Sequence, residues 1–313
     1  MRYKIKSIWL LVIILLSSRC TKEIDIQLND TNREMAMYCT FTEDNLSAFF
    51  SSTTQITNGE YPRLWKLHIT LSEEAKPILD TIINDSVFKF KYDFNRGILY
   101  HIAVSDSSGS VLTGTAEIPE DVNIFSASLT LAYKKYSQNE ISGIMYSEAT
   151  ITFIDPANEK NYYEIIIYDV NDNFSPEVYE YWSSFSSEDP VLKLEGDLDY
   201  NPKTIFFSDD LFNGEKYQLK VLSSDGGNYC SYGQCLPNEA KIELRSISED
   251  YYLYLKYLTR HYYNQQTSDG KPGLDMLYTG EPIDVYSNIE NGYGLFAGYS
   301  TITKDFVLVP INF

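Results

Sequence analysis

The sequence predicts an all-β protein of two β-sandwich domains of immunoglobulin-like type, the second carrying one amphipathic helix. Three observations carry this prediction. Short runs rich in Val, Ile, Phe, Tyr and Thr recur, separated by clusters of Gly, Asn, Asp, Ser and Pro, the pattern of strands and turns in antiparallel sandwiches. No apolar repeat of helical period dominates. Aromatic residues are abundant, with 27 Tyr and 16 Phe against 3 His, and tyrosine suits half-buried strands and the rims of binding surfaces alike.

The first element lies outside the fold. Residues 1–19 read as a lipoprotein signal peptide, with Arg2, Lys4 and Lys6 ahead of an apolar run from Ile8 to Leu16. That run is shorter than the roughly 20 residues a spanning helix needs, and it suits a signal-peptide core. Ser17-Ser18-Arg19-Cys20 follows, and small residues before a cysteine are what a lipoprotein signal peptidase accepts. Cys20 is therefore the expected lipidation site, although Arg19 stands where Gly, Ala or Ser is usual. The competing reading is an ordinary cleaved signal with Cys20 in a disulfide. Several acyl chains on one cysteine anchor stably, because each buried methylene adds about 0.8 kcal/mol. Residues 20–34 then form a polar lipidated tether.

The N-terminal sandwich is expected over 35–119, with strands at Met35–Thr42, Leu46–Thr53, Leu64–Leu71, Val87–Tyr92, Leu99–Asp106 and Val111–Ile118. Asp106-Ser107-Ser108-Gly109 marks a hairpin, and Pro119-Glu120-Asp121 marks the boundary. A C-terminal β-rich domain occupies 120–313. Its strands are expected at Ile124–Tyr133, Glu148–Ile154, Tyr162–Val170, Val191–Glu195, Lys216–Leu222, Ala240–Ser246 and Phe306–Ile311. Long polar excursions fall at 171–190 and 223–239, a length that in loops signals function or disorder. A helix is expected near 247–263. Ser246-Ile247-Ser248-Glu249 matches a capping box with Ser246 as N-cap, and Ile247, Tyr251, Leu255, Leu258 and Tyr262 form an apolar stripe for packing on a sheet. Lys256, Arg260 and His261 toward its end agree with the helix dipole. Residues 288–300 read as a Gly-rich turn region, in which Gly292, Gly294 and Gly298 allow a tight turn against the second sandwich.

Charge narrows the function. Without Arg2, Lys4, Lys6 and Arg19, 21 of the 25 basic residues remain against all 44 acidic ones. Such a surface repels phosphate, which excludes nucleic acid as a partner, and it repels anionic lipid beyond the anchor itself.

Candidate sites are few. Cys230 and Cys235 are spaced for a small-loop disulfide in an oxidising envelope; zinc would need two more ligands nearby. Cys39 falls in an apolar run and reads as a buried free thiol. Asp169, Asn171, Asp172 and Asn173 look like the calcium-binding linker of cadherin repeats, with a polar turn after a strand as the plainer alternative. Tyr179, Tyr181 and Trp182 offer rings for a sugar or peptide, or simply cover the second core. The histidines, at 68, 101 and 261, sit beside no nucleophile motif, and no carboxylate pair is singled out by spacing. The chain therefore reads as a binding module and not an enzyme, with no cofactor beyond a calcium ion.

Five segments also carry a resemblance: Cys20-Thr21-Lys22-Glu23-Ile24-Asp25; Asp155-Pro156 with Asn161-Tyr162-Tyr163; Asp209-Asp210-Leu211-Phe212-Asn213-Gly214-Glu215; the helix beginning at Ser246; and the run from Tyr286 to Ser300. In this order they resemble a Bacteroidota family of outer-membrane lipoproteins of unknown function, often encoded beside TonB-dependent transporters. The resemblance implies outer-membrane anchoring and a transporter partner; the Lys and acidic residues after Cys20 resemble a surface-export signal, so exposure on the cell surface is expected. It carries over no catalytic residue. The expected function is a surface-anchored accessory lipoprotein that captures ligand for such a transporter; the alternative is an adhesin or structural surface protein with calcium-stiffened β-domains.

Overall fold

A computed structural model of the chain describes residues 34–53, 64, 66–136, 144–157, 159–170, 180–181, 184–223, 228–231, 234–237, 239–265 and 283–309. Alternation builds the first sandwich. Along β1 (Met35–Phe41), Met35, Met37, Cys39 and Phe41 point inward and are buried, while Tyr38 faces out. Cys39 is a free buried thiol, as its apolar run suggested. β2 (Asn45–Ser52) pairs antiparallel with β1 and buries Leu46, Ala48 and Phe50; β5 (Val87–Lys91) pairs with β2 at the edge. The opposing sheet contains β3 (Leu67–Glu73), β4 (Lys76–Ile83), β6 (Tyr100–Ser105) and β7 (Val111–Ala116), in the order β4-β3-β6-β7. Phe41, Leu67, Tyr100, Ile102 and Phe296 belong to the core between them.

The second sandwich opposes two further sets of strands. One sheet holds β8 (Ile124–Tyr136), β9 (Ile144–Ile154), β12 (Phe185–Ser186), β14 (Lys216–Ser223) and β19 (Val307–Val309), in the order β12-β14-β9-β8-β19. The other holds β10 (Tyr162–Val170), β11 (Glu180–Tyr181), β13 (Ile205–Ser208), β17 (Glu239–Ile247) and β18 (Tyr293–Asp305). Ile151, Tyr163, Ile165, Phe207 and Leu244 fill the core between them. β15 (Asn228–Ser231) and β16 (Gln234–Pro237) form a separate hairpin.

One strand joins the two sandwiches. The first half of β18 runs parallel to β1, from Ala36 opposite Tyr293 to Phe41 opposite Gly298. Its second half runs antiparallel to β17, from Ile247 opposite Tyr299 to Lys241 opposite Asp305. The result is a single eight-stranded sheet, β11-β10-β17-β18-β1-β2-β5, with β13 beside β10. The Gly-rich run expected to be a turn is thus mostly strand, and its glycines press on the first sandwich, not the second. A Cβ on Gly294 would lie 1.8 Å from the Met37 carbonyl oxygen, with φ at +122°, and one on Gly298 would lie 2.5 Å from the Glu117 carbonyl oxygen. Glycine here serves close backbone approach within a sheet, which sequence spacing alone does not separate from a turn.

Other elements depart from expectation for local reasons. Val191–Glu195, expected as a strand, lies in helix α1 (Pro190–Glu195). Asp189 accepts a hydrogen bond from the Val191 amide at 3.0 Å, proline occupies the first turn, and Gly196 closes the helix at φ 70°. A 3-10 turn, Asp197–Tyr200, follows. β4 is an additional strand at a sheet edge, where Pro77 is tolerated. β13 is also additional, and all four of its residues are buried, so no alternation announces it. The main helix, α2 (Glu249–Gln265), starts later than expected. Its cap is Ser248, whose Oγ accepts from the Tyr251 amide at 3.3 Å, whereas Ser246 remains in β17 opposite Ser300. α2 lies on the outer face of the eight-stranded sheet, where Ile247, Tyr251 and Tyr252 pack with Phe206, Leu295 and Ala297.

Gly294→Ala is expected to destabilise the protein by about 3 kcal/mol or more, because the clash with Met37 adds to backbone strain. Gly109→Ala, where a Cβ meets nothing within 4 Å at φ +88°, should cost only about 1–2 kcal/mol. Urea denaturation of both variants checks this; equal losses would remove the special role given to Gly294.

Candidate functional site

A groove of about 570 Å³ opens between α2 and the sheet beneath it. Strand alternation sets its floor. Tyr163 and Ile165 of β10 point into the second core, which turns Glu164 and Ile166 outward. Arg245 of β17 lies directly opposite Glu164 in register, and Tyr38 of β1 joins them from the first sandwich. Helical spacing sets one wall: Tyr251, Leu255, Leu258 and Tyr262 share a face of α2. The residues from Tyr200 to Thr204 form the other. The apolar stripe read from the sequence is therefore real, but packing uses chiefly its start. Tyr251 is 3 % exposed and Tyr262 is 56 % exposed, and both line the groove.

The floor is charged and closely held. Arg245 Nη1 donates to Glu164 Oε2 at 3.0 Å, and Arg245 Nε donates to Glu243 Oε1 at 2.7 Å. Thr301 Oγ1 donates to the same Glu243 oxygen at 3.1 Å, and the guanidinium carbon sits 4.5 Å from the centre of the Tyr299 ring. The Glu164 side chain is 3 % exposed. Burial works against the charge on Arg245, but Glu164 and its other neighbours prevail and raise its pKa. Burial raises the phenol pKa values of Tyr38 and Tyr251, so both stay protonated; their oxygens are 3.4 Å apart. A buried ion pair adds little stability over a hydrophobic pair of the same size.

A second network ties α2 to α1 and to the 3-10 turn after it. Lys256 Nζ meets Glu195 Oε2 at 2.7 Å and Asp197 Oδ2 at 3.0 Å, and Arg260 Nη2 meets Asp197 Oδ1 at 2.8 Å. Tyr252 donates to Glu195, whose other oxygen accepts from the Ser208 amide at 2.9 Å. At the start of the helix, Tyr286 donates to Asp250, and Asn288 binds both Asp250 and the backbone of Phe296. Ionic and backbone contacts thus hold the helix to α1 and to β18, giving the groove a fixed wall.

Most residues singled out in the sequence are not brought to this groove. Cys20, Asn171, Asp172, Asn173, Tyr179 and Trp182 lie outside the described residues. Asp169 pairs with Glu180, and Tyr181 with Tyr168, through their backbones in β10 and β11, with the Asp169 and Tyr181 side chains outside the described set. Cys230 and Cys235 stand opposite each other in the β15–β16 hairpin, again with side chains outside it. His68 contacts Asp80 at 2.7 Å on the surface, and His261 Nδ1 contacts the Ile283 carbonyl oxygen at 2.6 Å. Among the described residues, no group of three or more His, Cys, Asp or Glu is arranged to hold a metal, and no helix is long and apolar enough to cross a membrane. Glu164 and Arg245 were missed in the sequence. The available signal was a charge at an outward strand position on each, and register alone makes them partners.

Two of the segments that carried the resemblance, Asp155 to Tyr163 and Asp209 to Glu215, are tied to each other. Asp155 accepts from Tyr163 and from the Gly214 amide at 2.7 Å, while Asp209 accepts from the Asn161 amide at 3.0 Å and pairs with Lys160 at 2.8 Å. Burial raises the pKa of Asp155 against these hydrogen bonds. The Asp155, Asn161 and Asp209–Glu215 segments thus form one clamp at the end of the second sandwich. A family model described as a domain of unknown function, DUF4249, matches residues 21–305. The chain belongs to this family. No curated protein matches it. Among solved structures it is similar to a chain titled "Biofilm associated protein - B domain", at 9% identity, covering 86% of this chain and 85% of that one with a TM-score of 0.17. Similarity that low bears on neither fold nor function.

Acid should loosen α2. Burial alone would raise the pKa of Glu195, but the Lys256, Tyr252 and Ser208 hydrogen bonds outweigh it and hold the carboxyl below its ordinary value. Its contribution is then fully present above about pH 4.3, the ordinary value, and is lost as pH falls through the lower folded value. Glu195→Gln is expected to cost about 2 kcal/mol at pH 7, with the gap to wild type closing in urea melts taken at progressively lower pH. A gap independent of pH would show that the carboxylate charge is not what holds the helix.

Proposed function

We propose that this DUF4249 protein is a lipid-anchored binding lipoprotein of the outer-membrane surface, which holds a ligand in the groove under α2 and presents it to a TonB-dependent transporter. The groove carries this reading. Its volume of about 570 Å³ falls within the roughly 300–1,000 Å³ usual for ligand sites. Its surfaces are mainly rings and aliphatic side chains, with a few polar groups held in fixed positions, which is the composition such sites use. Support for the anchor comes from the N-terminal run ending at Cys20, and support for the transporter from the resemblance noted in the sequence. The acidic surface agrees with exposure beyond the membrane, where it limits association with anionic lipid.

The test is a mild-detergent pull-down of the native protein from its own outer membrane, with co-purifying proteins identified by mass. A stoichiometric transporter barrel is expected, and Cys20→Ser should move the protein out of the membrane fraction. Recovery of the lipidated protein alone would overturn the stable transporter partnership. Membrane retention of the Cys20→Ser variant would overturn the lipid anchor.

A further inference from the structure

We infer that the ligand of this groove is a neutral saccharide, bound through adjacent ring hydroxyls on the Glu164–Arg245 pair and through its ring face on the tyrosines. This rests on the binding reading above and specifies the chemistry of the same site. Three features of the groove lead to it.

The first is the hydrogen-bonding pattern of the floor. The hydrogen bonds of the pair engage Glu164 Oε2 and Arg245 Nη1 and Nε. The second carboxylate oxygen and the Nη2 amine are not engaged among the described residues. The two residues are opposite each other in register and both line the groove, so the pair offers it an acceptor and a donor on neighbouring strands. Neighbouring hydroxyls on a sugar ring match this arrangement, one donating to the carboxylate and the other accepting from the guanidinium. A single trans amide does not, because its N–H and C=O point in opposite directions; the N–H and C=O of one extended residue do share a side, which is why peptides enter the test below. A wholly apolar ligand would cover the pair without engaging it, which is unfavourable.

The second feature is charge. On the floor Glu164 and Arg245 neutralise each other; among the described residues Lys203 is the further charge lining the groove, and it sits on the wall with its Nζ 6.0 Å from the centre of the Tyr262 ring. A ligand carboxylate, sulfate or phosphate on the floor would meet Glu164, and an ammonium would meet Arg245. Both are penalised at a site where Glu164 is almost fully buried.

The third feature is the aromatic lining. Tyr38, Tyr200, Tyr251, Tyr262 and Tyr263 surround the space. Tyr200 and Tyr263 meet edge to face at 5.3 Å and 88°, an arrangement that fixes both rings. Tyrosine presents an apolar face for the C–H side of a sugar ring and a hydroxyl for its rim, and the exposed Tyr262 and Tyr263 leave those faces accessible.

The experiment is an array of neutral, uronate-bearing and sulfated glycans, with neutral peptides alongside, probed with the detergent-solubilised full-length chain. Neutral glycans are expected to bind, and uronate-bearing or sulfated forms of the same backbone to bind at least about tenfold more weakly. Tyr262→Ala and Tyr263→Ala remove exposed rings and should leave the fold intact while weakening binding about tenfold. Arg245→Lys should weaken it as well, since lysine lacks the planar fork. If the fold does not survive that change, the tyrosine variants decide. Equal binding of sulfated glycans, tyrosine-dependent binding of peptides in preference to glycans, or no neutral glycan bound would each overturn the inference. The pull-down reads the transporter partnership separately, so recovery of a barrel without glycan binding would overturn the saccharide assignment alone.

Discussion

The parallel pairing of β18 with β1 is the contact on which the rest of the architecture depends. It joins a strand near residue 35 to one near residue 295, and it can form only because glycines on β18 let its backbone close on Met37 and Glu117. With that pairing in place, one strand completes the N-terminal sandwich through its first half and the C-terminal sandwich through its second. The two cores remain separate, but they share a continuous sheet. Contacts so distant in sequence carry a large loop-closure cost and tend to form late.

The shared sheet also makes the groove. A helix docked on a sheet of four strands would cover most of one face. Here the sheet continues past β18 into β1, so Tyr38 of the first sandwich lies beside Arg245 and Glu164 of the second. α2 is held at its start by Asp250 and along its length by Lys256 and Arg260, and those attachments fix its height above the floor. The residues that hold the helix and those left open in the groove are therefore largely different. The Glu195–Lys256–Asp197 network and the packing of Tyr251 and Tyr252 hold the helix, while Leu258, Tyr262 and Tyr263 are left facing open space.

Much of the fold was legible in the chain because burial in a sandwich alternates. The runs at 35–42, 46–53 and 162–170 were read to within one residue; the first two bury every second side chain, and the third is an apolar run bounded by polar residues. The readings that differed were those where local pattern is ambiguous. Val191–Glu195 is apolar enough for a strand, and the Asp189-Pro190 start makes it a helix. Ile205–Ser208 has no polar alternation because both of its faces are covered. The glycines of 292–298 serve a strand, because a glycine that permits a turn permits close pairing equally well.

The candidate site divides along the same line. The sequence by itself determined the strands that carry Glu164 and Arg245, the helical face that carries Tyr251, Leu255, Leu258 and Tyr262, and the acidic character of the chain. These depend on residue types and on spacings of two and of three to four, which neighbours along the chain can establish. Tertiary structure alone decided that Glu164 stands opposite Arg245, that Tyr38 joins them from the other sandwich, and that the helical stripe lines a groove more than it fills a core. Those outcomes depend on strand register, on a parallel pairing between the two ends of the chain, and on the height at which ion pairs hold α2. Each is set by contacts between residues tens to hundreds of positions apart, which no local pattern encodes.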